Sequence, residues 1–117
     1  DAGTPEAVLE TNHYLLEHGS DNTEEAGQRL GVTLVQPSFV HPEADVQNSV
    51  IGPYTSIGAG CKVRDTIVTD SILEDGAHVA NVILENSLIG QNAEVHGCPN
   101  SLNVGDNSEV NFDGRCR

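Results

Sequence analysis

Aliphatic residues recur along most of this chain at steps that match neither a helix face nor a hairpin. Val40, Val46, Ile51, Ile57, Val63, Val68, Leu73, Val79, Leu84, Ile89 and Val95 follow one another at steps of five or six residues, and Val104 and Val110 resume the series. A small or aliphatic residue stands four positions after nearly every rung: Ala44, Val50, Thr55, Cys61, Ile67, Ile72, Ala77, Ile83, Leu88, Ala93 and Ser108. This is the pattern of hexapeptide-type repeats that wind into a parallel β-helix. Three steps make one coil, so like residues stack. Val40, Ile57, Leu73, Ile89 and Val104 form one column. Val46, Val63, Val79, Val95 and Val110 form a second. Ile51, Val68 and Leu84 form a third, whose next member is lost between Val95 and Asn103. About four coils are predicted from Phe39 to Phe112.

A single coil of this kind buries almost nothing. Stacking supplies the core, at roughly 1.5–3 kcal/mol for each aliphatic side chain fully removed from water. That suits a chain with only two Phe, two Tyr and no Trp. The backbone bonds run between coils, so both ends of the stack are open edges that need a cap or a partner. The clusters Gln47-Asn48-Ser49, Asp65-Thr66, Asp70-Ser71 and Asn86-Ser87 precede aliphatic residues and read as corners.

Ahead of the repeats, Thr4, Pro5 and Glu6 form a helix start: an N-cap, a first-turn proline and an acid at the positive end of the dipole. Val8, Leu9, Leu15 and Leu16 are predicted to share one face with Asn12, with Glu10, Glu17 and His18 facing out. The helix ends at His18-Gly19-Ser20. A polar stretch follows, with at most a short helix over Glu24–Leu30, then an extended bridge at Val32–Val35 and entry into the repeats after Pro37. Such an amphipathic helix either caps the open end of the solenoid or packs on another domain. The fold class is therefore all-β: a single-stranded parallel β-helix of about four coils behind one N-terminal α-helix. The divisions are 1–37 for helix and linker, 38–112 for the repeats and 113–117 for a tail.

The formal net charge of −13 is spread over the whole chain. A coat of carboxylates repels nucleic acid and anionic membrane, so neither is an expected partner. No apolar run is long enough to span a bilayer. Three Cys without framework spacing fit a reducing cytoplasm. Cys61 falls on an inward position, while Cys98 and Cys116 lie in the irregular segment and the tail.

The stretch Asp1-Ala2-Gly3-Thr4-Pro5-Glu6-Ala7-Val8-Leu9-Glu10-Thr11-Asn12, followed by hexapeptide repeats, resembles the C-terminal part of a sugar-phosphate nucleotidyltransferase. It is most similar to the long glucose-1-phosphate thymidylyltransferase-like branch. The resemblance implies a left-handed coil, against the usual crossover rule. It implies that 1–37 is left from a catalytic domain that this sequence lacks. It also implies that Asp1 is a Mg²⁺ ligand in the intact enzyme, where a divalent ion screens the phosphates during in-line displacement. The chain by itself is expected to be inactive, with no catalytic or cofactor-binding residues and no bound Mg²⁺. The implied role is assembly or regulation of an enzyme making an NDP-sugar, dTDP-glucose above all, and pyrophosphate. The implied state is a homo-oligomer, dimer or trimer, joined through the β-helix, with Val82, Leu102, Val104 and Val110 as contacts.

The alternative is an acyl-CoA-dependent acyltransferase of the hexapeptide class, alone or as the second activity of a bifunctional enzyme. Such enzymes use a loop histidine as general base. His41, His78 and His96 are the candidates on the repeats, with His13 and His18 on the helix. All three repeat histidines adjoin inward residues and are predicted to point outward. His96-Gly97-Cys98 offers two ligands of the four that zinc normally takes, so it predicts no metal site.

Overall fold

The structure, a computed structural model, describes residues 3–97, 105–107 and 109. Helix α1 spans Pro5–Leu15, and the Oγ1 of Thr4 accepts the amide of Ala7 at 3.2 Å. A wider turn over Leu16–Ser20 ends it, with Gly19 at φ 108°. Helix α2 spans Thr23–Leu30 and stops at Gly31, whose φ of 69° suits a residue without a side chain. Twelve short strands follow: β1 Thr33–Leu34, β2 Ser38–Val40, β3 Asp45–Gln47, β4 Val50–Ile51, β5 Thr55–Ile57, β6 Lys62–Arg64, β7 Ile67–Thr69, β8 Ile72–Leu73, β9 His78–Ala80, β10 Ile83–Glu85, β11 Leu88–Ile89 and β12 Glu94–His96.

Every third strand pairs in parallel. The sheets are β1-β4-β7-β10, β2-β5-β8-β11 and β3-β6-β9-β12, three faces of a tube four coils tall. The predicted columns are present in register. Val40, Ile57, Leu73 and Ile89 align on one face, and Val46, Val63, Val79 and Val95 on the next. Ile51, Val68 and Leu84 align on the third, joined by Leu34 of β1. The bridge at Val32–Val35 thus supplies the first strand of the stack, and the four described coils run from Thr33 to His96.

The residues four places after a rung do not all turn inward. The residue four places after a rung is buried only where the step is six: Ala44, Thr55, Cys61 and Ala77. Where the step is five, that residue points out; Val50, Ile67, Ile83 and Leu88 are exposed. The inward partners there are Ser49, Thr66 and Ser71, each two places before a rung. Strand alternation is the reason: residues i and i−2 share a face, whatever the length of the corner behind them.

The corners use left-handed residues where a small polar side chain lowers the cost. Asn48, Asp65 and Asn81 stack at one edge with φ between 49° and 59°. Tyr54, Asp70 and Asn86 stack at the second. Gly60, Gly76 and Asn92 stack at the third.

The cap on the first coil is α2 rather than α1. Ala26 of α2 is fully buried in the core cluster, beside the partly buried Leu30, Val32 and Leu34. The open edge of β2 is closed by side chains. Asn22 donates through Nδ2 to the carbonyl of Val40 at 2.7 Å and accepts the Val40 amide through Oδ1 at 2.9 Å. The Thr23 hydroxyl accepts the Ser38 amide at 2.9 Å and faces the Ser38 carbonyl at 3.2 Å. Arg29 donates to the carbonyl of His41 at 3.3 Å. From its amphipathic pattern α1 was expected either to cap this end or to pack on another domain. Instead, α1 lies along the outside, with Leu16 as its buried anchor. Leu15, expected on the inner face, is 48% exposed, because it lies one helical step of about 100° round from Leu16.

Candidate functional site: the groove between helix and solenoid

Between α1 and the corner of Tyr54, Asp70 and Asn86 lies an open groove of about 660 Å³. Pro5, Leu9, His13 and Tyr54 line it together with Glu6, Glu10, Glu17 and Asp70. Helical spacing places Leu9, His13 and Glu17 on one side of α1, and coil stacking places Asp70 above Tyr54.

The imidazole of His13 lies flat on Tyr54, with ring centroids 3.4 Å apart and planes 7° apart. Its Nε2 is 3.6 Å from Glu17 Oε1 and its Nδ1 is 3.8 Å from Asp70 Oδ1. The Tyr54 hydroxyl donates to Glu17 at 2.7 Å. That bond, then loss of solvent and the charges of Glu17 and Asp70, raises the phenol above its ordinary range. Asn12 donates to the Tyr54 carbonyl at 3.1 Å and accepts the Ser56 hydroxyl. Glu17, expected to face solvent, therefore bonds the solenoid, and His13 is part of the same contact. No sequence signal marked this cluster, because its helix members and its solenoid members are 37 or more residues apart in the chain.

What the groove does chemically follows from its charge. Four carboxylates in the lining disfavour phosphate, nucleotide or acyl-CoA. The arrangement suits fastening α1 to the solenoid.

The other predicted residues are dispersed. His41 sits past the end of β2, where its Nδ1 accepts the Glu43 amide at 3.0 Å. His78 pairs in register with Lys62 and Glu94, and His96 with Ala80, so no two of these rings stand opposite each other. All three do point outward: His41 and His78 are half-buried, and His96 is exposed with Nε2 3.3 Å from Glu94. Cys61 is a free thiol buried in the core, donating to the carbonyl of Glu74 at 3.1 Å. Burial raises it above the ordinary thiol range. Asp1, Cys98, Cys116, Leu102, Val104 and Val110 lie outside the described residues. Val82, expected to be exposed, packs against the core; its neighbour Ile83 is the exposed side chain, at 74%.

Among the described residues no group of three or more His, Cys, Asp or Glu is placed to hold a metal ion. No described helix is long and apolar enough to cross a membrane.

No family model matches the chain. It is 31% identical, over 132 aligned residues covering 94% of its length, to a glucose-1-phosphate thymidylyltransferase of Streptomyces griseus. It is 29% identical, over 83 residues and 66% of its length, to a glucose-1-phosphate thymidylyltransferase of Streptomyces antibioticus. The chain spans only 37% and 23% of these two relatives' own lengths. A repeat ladder that folds into a capped parallel β-helix, together with a likeness running along nearly the whole chain, makes this protein a relative of part of the glucose-1-phosphate thymidylyltransferases.

Proposed function

We propose that the chain is the C-terminal assembly and regulatory β-helix domain of a cytoplasmic nucleotidyltransferase. That enzyme would convert a sugar 1-phosphate and an NTP into an NDP-sugar and pyrophosphate, with glucose 1-phosphate and dTTP as the preferred pair. The observation that carries this reading is the likeness over 94% of the chain to a glucose-1-phosphate thymidylyltransferase more than twice its length. The charge of the groove beside α1 favours the division of labour: its carboxylates suit fastening a helix rather than holding phosphates. The buried, free Cys61 suits a reducing compartment.

Asp1 would be a Mg²⁺ ligand in the intact enzyme, where the ion would screen converging phosphates. This chain's own residues serve another end. The stack provides rigid faces, α2 seals the first coil, and the Asn12–Tyr54–Glu17 contacts fix α1 against the corner.

The experiment compares the chain with a longer protein containing it. Thymidylyl transfer from dTTP to glucose 1-phosphate, read as pyrophosphate release, is expected from the longer protein and not from the chain. Light scattering should give a mass above that of one copy for both. Activity in the chain alone would overturn the proposed role. Calorimetric binding of acetyl-CoA to the chain would replace it with the acyltransferase reading.

A further inference from the structure

The three outer faces of the tube differ in character. On the β3-β6-β9-β12 face, Asp45, Lys62, His78 and Glu94 form one outward row, and Gln47, Arg64, Ala80 and His96 another. The Arg64 guanidinium bridges coils there, 2.7 Å from Asp45. On the β2-β5-β8-β11 face, the outward Ser56 is engaged by Asn12 of α1. The β1-β4-β7-β10 face is different. Its outward row is Thr33, Val50, Ile67 and Ile83, in register. Val50, Ile67 and Ile83 are 36%, 45% and 74% exposed, and Val35 just beyond β1 is 43% exposed. The adjacent outward row carries Thr69 and Glu85 in register, so Glu85 is the charge on this face; Asp65 and Asp70 stand at its corners.

We propose that this face docks on the same face of a second copy, antiparallel, about a two-fold axis that lies in the interface, perpendicular to the row and between Val50 and Ile67. The inference rests on the assembly role above and adds the surface and the symmetry. Three observations favour a second copy. Two chains of net charge −13 repel almost everywhere, and this row is uncharged from end to end. The row also tapers, from Thr33 through Val50 to Ile67 and Ile83. A two-fold axis sets Ile83 against the partner's Thr33 and Ile67 against the partner's Val50, so bulk meets gap. Finally, antiparallel packing sends the two Glu85 carboxylates to opposite ends, where parallel packing would bring them together.

The size of the face sets the strength. Four coils about 4.8 Å apart and a face about 17 Å wide offer roughly 330 Å² per copy and about 650 Å² in total, below a standard-size interface. A shallow groove of about 540 Å³ along its Asn48–Asp65 edge extends the contact. A weak dimer, dissociating at about a hundred micromolar, is therefore expected.

The test is sedimentation of the full chain from ten to several hundred micromolar. A monomer–dimer equilibrium is expected, with association weakened at least ten-fold by Ile83→Glu and unchanged by Gln91→Glu, which adds the same charge elsewhere. Circular dichroism should show both variants folded, since both side chains are exposed. With Cys98 and Cys116 replaced by Ser, Thr33→Cys plus Ile83→Cys should form an inter-chain disulfide on oxidation. Ile83→Cys alone should not, because its two copies stand farther apart than the roughly 7 Å Cα limit. A monomer throughout would overturn both this inference and the assembly role. A trimer, a dimer indifferent to Ile83→Glu, or a cross-link through Ile83→Cys alone would overturn this inference and leave the assembly role standing.

Discussion

Small hydroxyls carry the ladder round the corners. Ser49 donates to the Gln47 carbonyl at 2.9 Å and accepts the Thr66 amide of the next coil at 3.1 Å. Ser71 repeats this with the Thr69 carbonyl and the Ser87 amide. Each hydroxyl therefore serves as a surrogate rung where no strand runs. Thr55, at the equivalent place after Tyr54, has a buried Oγ1 with no such partner among the described residues. In the neighbouring column Cys61 sits between Ala44 and Ala77. Its burial holds the thiol protonated in the fold, whereas the unfolded chain ionises in the ordinary range. Stability is therefore fully present below about pH 9 and falls as pH rises beyond it. Cys61→Ala should flatten this alkaline decline in thermal melts. It should cost about 1 kcal/mol or less at pH 7, since two coils already carry Ala in this column.

Among the elements, α2 decides whether the stack has a usable first coil. Asn22 gives up its capping role at the start of α2 to satisfy both backbone groups of Val40. Asn22→Ala leaves those two groups without their partners and should cost about 1–3 kcal/mol. The loss should appear as faster amide exchange at Val40 and in α2, while β8 and β9 stay protected. The short helix over Glu24–Leu30 was only allowed for, in a polar stretch read mainly as a loop, and the structure makes it a helix from Thr23 to Leu30. Its place over the open end was not legible, since Asn22 finds its partner 18 residues away. The inner face of α1 was legible only in part. Val8, Leu9, Asn12 and Leu16 are at least half-buried, whereas Leu15 faces water and Glu17 reaches Tyr54.

For the whole molecule, stability resides in stacking between coils. Leu73 is 1% exposed in the third coil, with Ile57 below and Ile89 above. Leu73→Ala should cost about 2–5 kcal/mol by opening a cavity in that column. Chemical denaturation should show the loss as a lower midpoint with a single cooperative transition. The ladder from Val40 to Val95 was enough to fix the order of strands, their register and three of the inward rows, because a β-helix repeats one local rule and each coil meets only its neighbours. Composition was enough to coat the tube with negative charge. The caps, the groove and the separate characters of the three faces depend instead on where each corner falls. A corner shorter by one residue turns Val50, Ile67 and Ile83 outward while Ser49 and Thr66 turn in, and only the closed coil decides which.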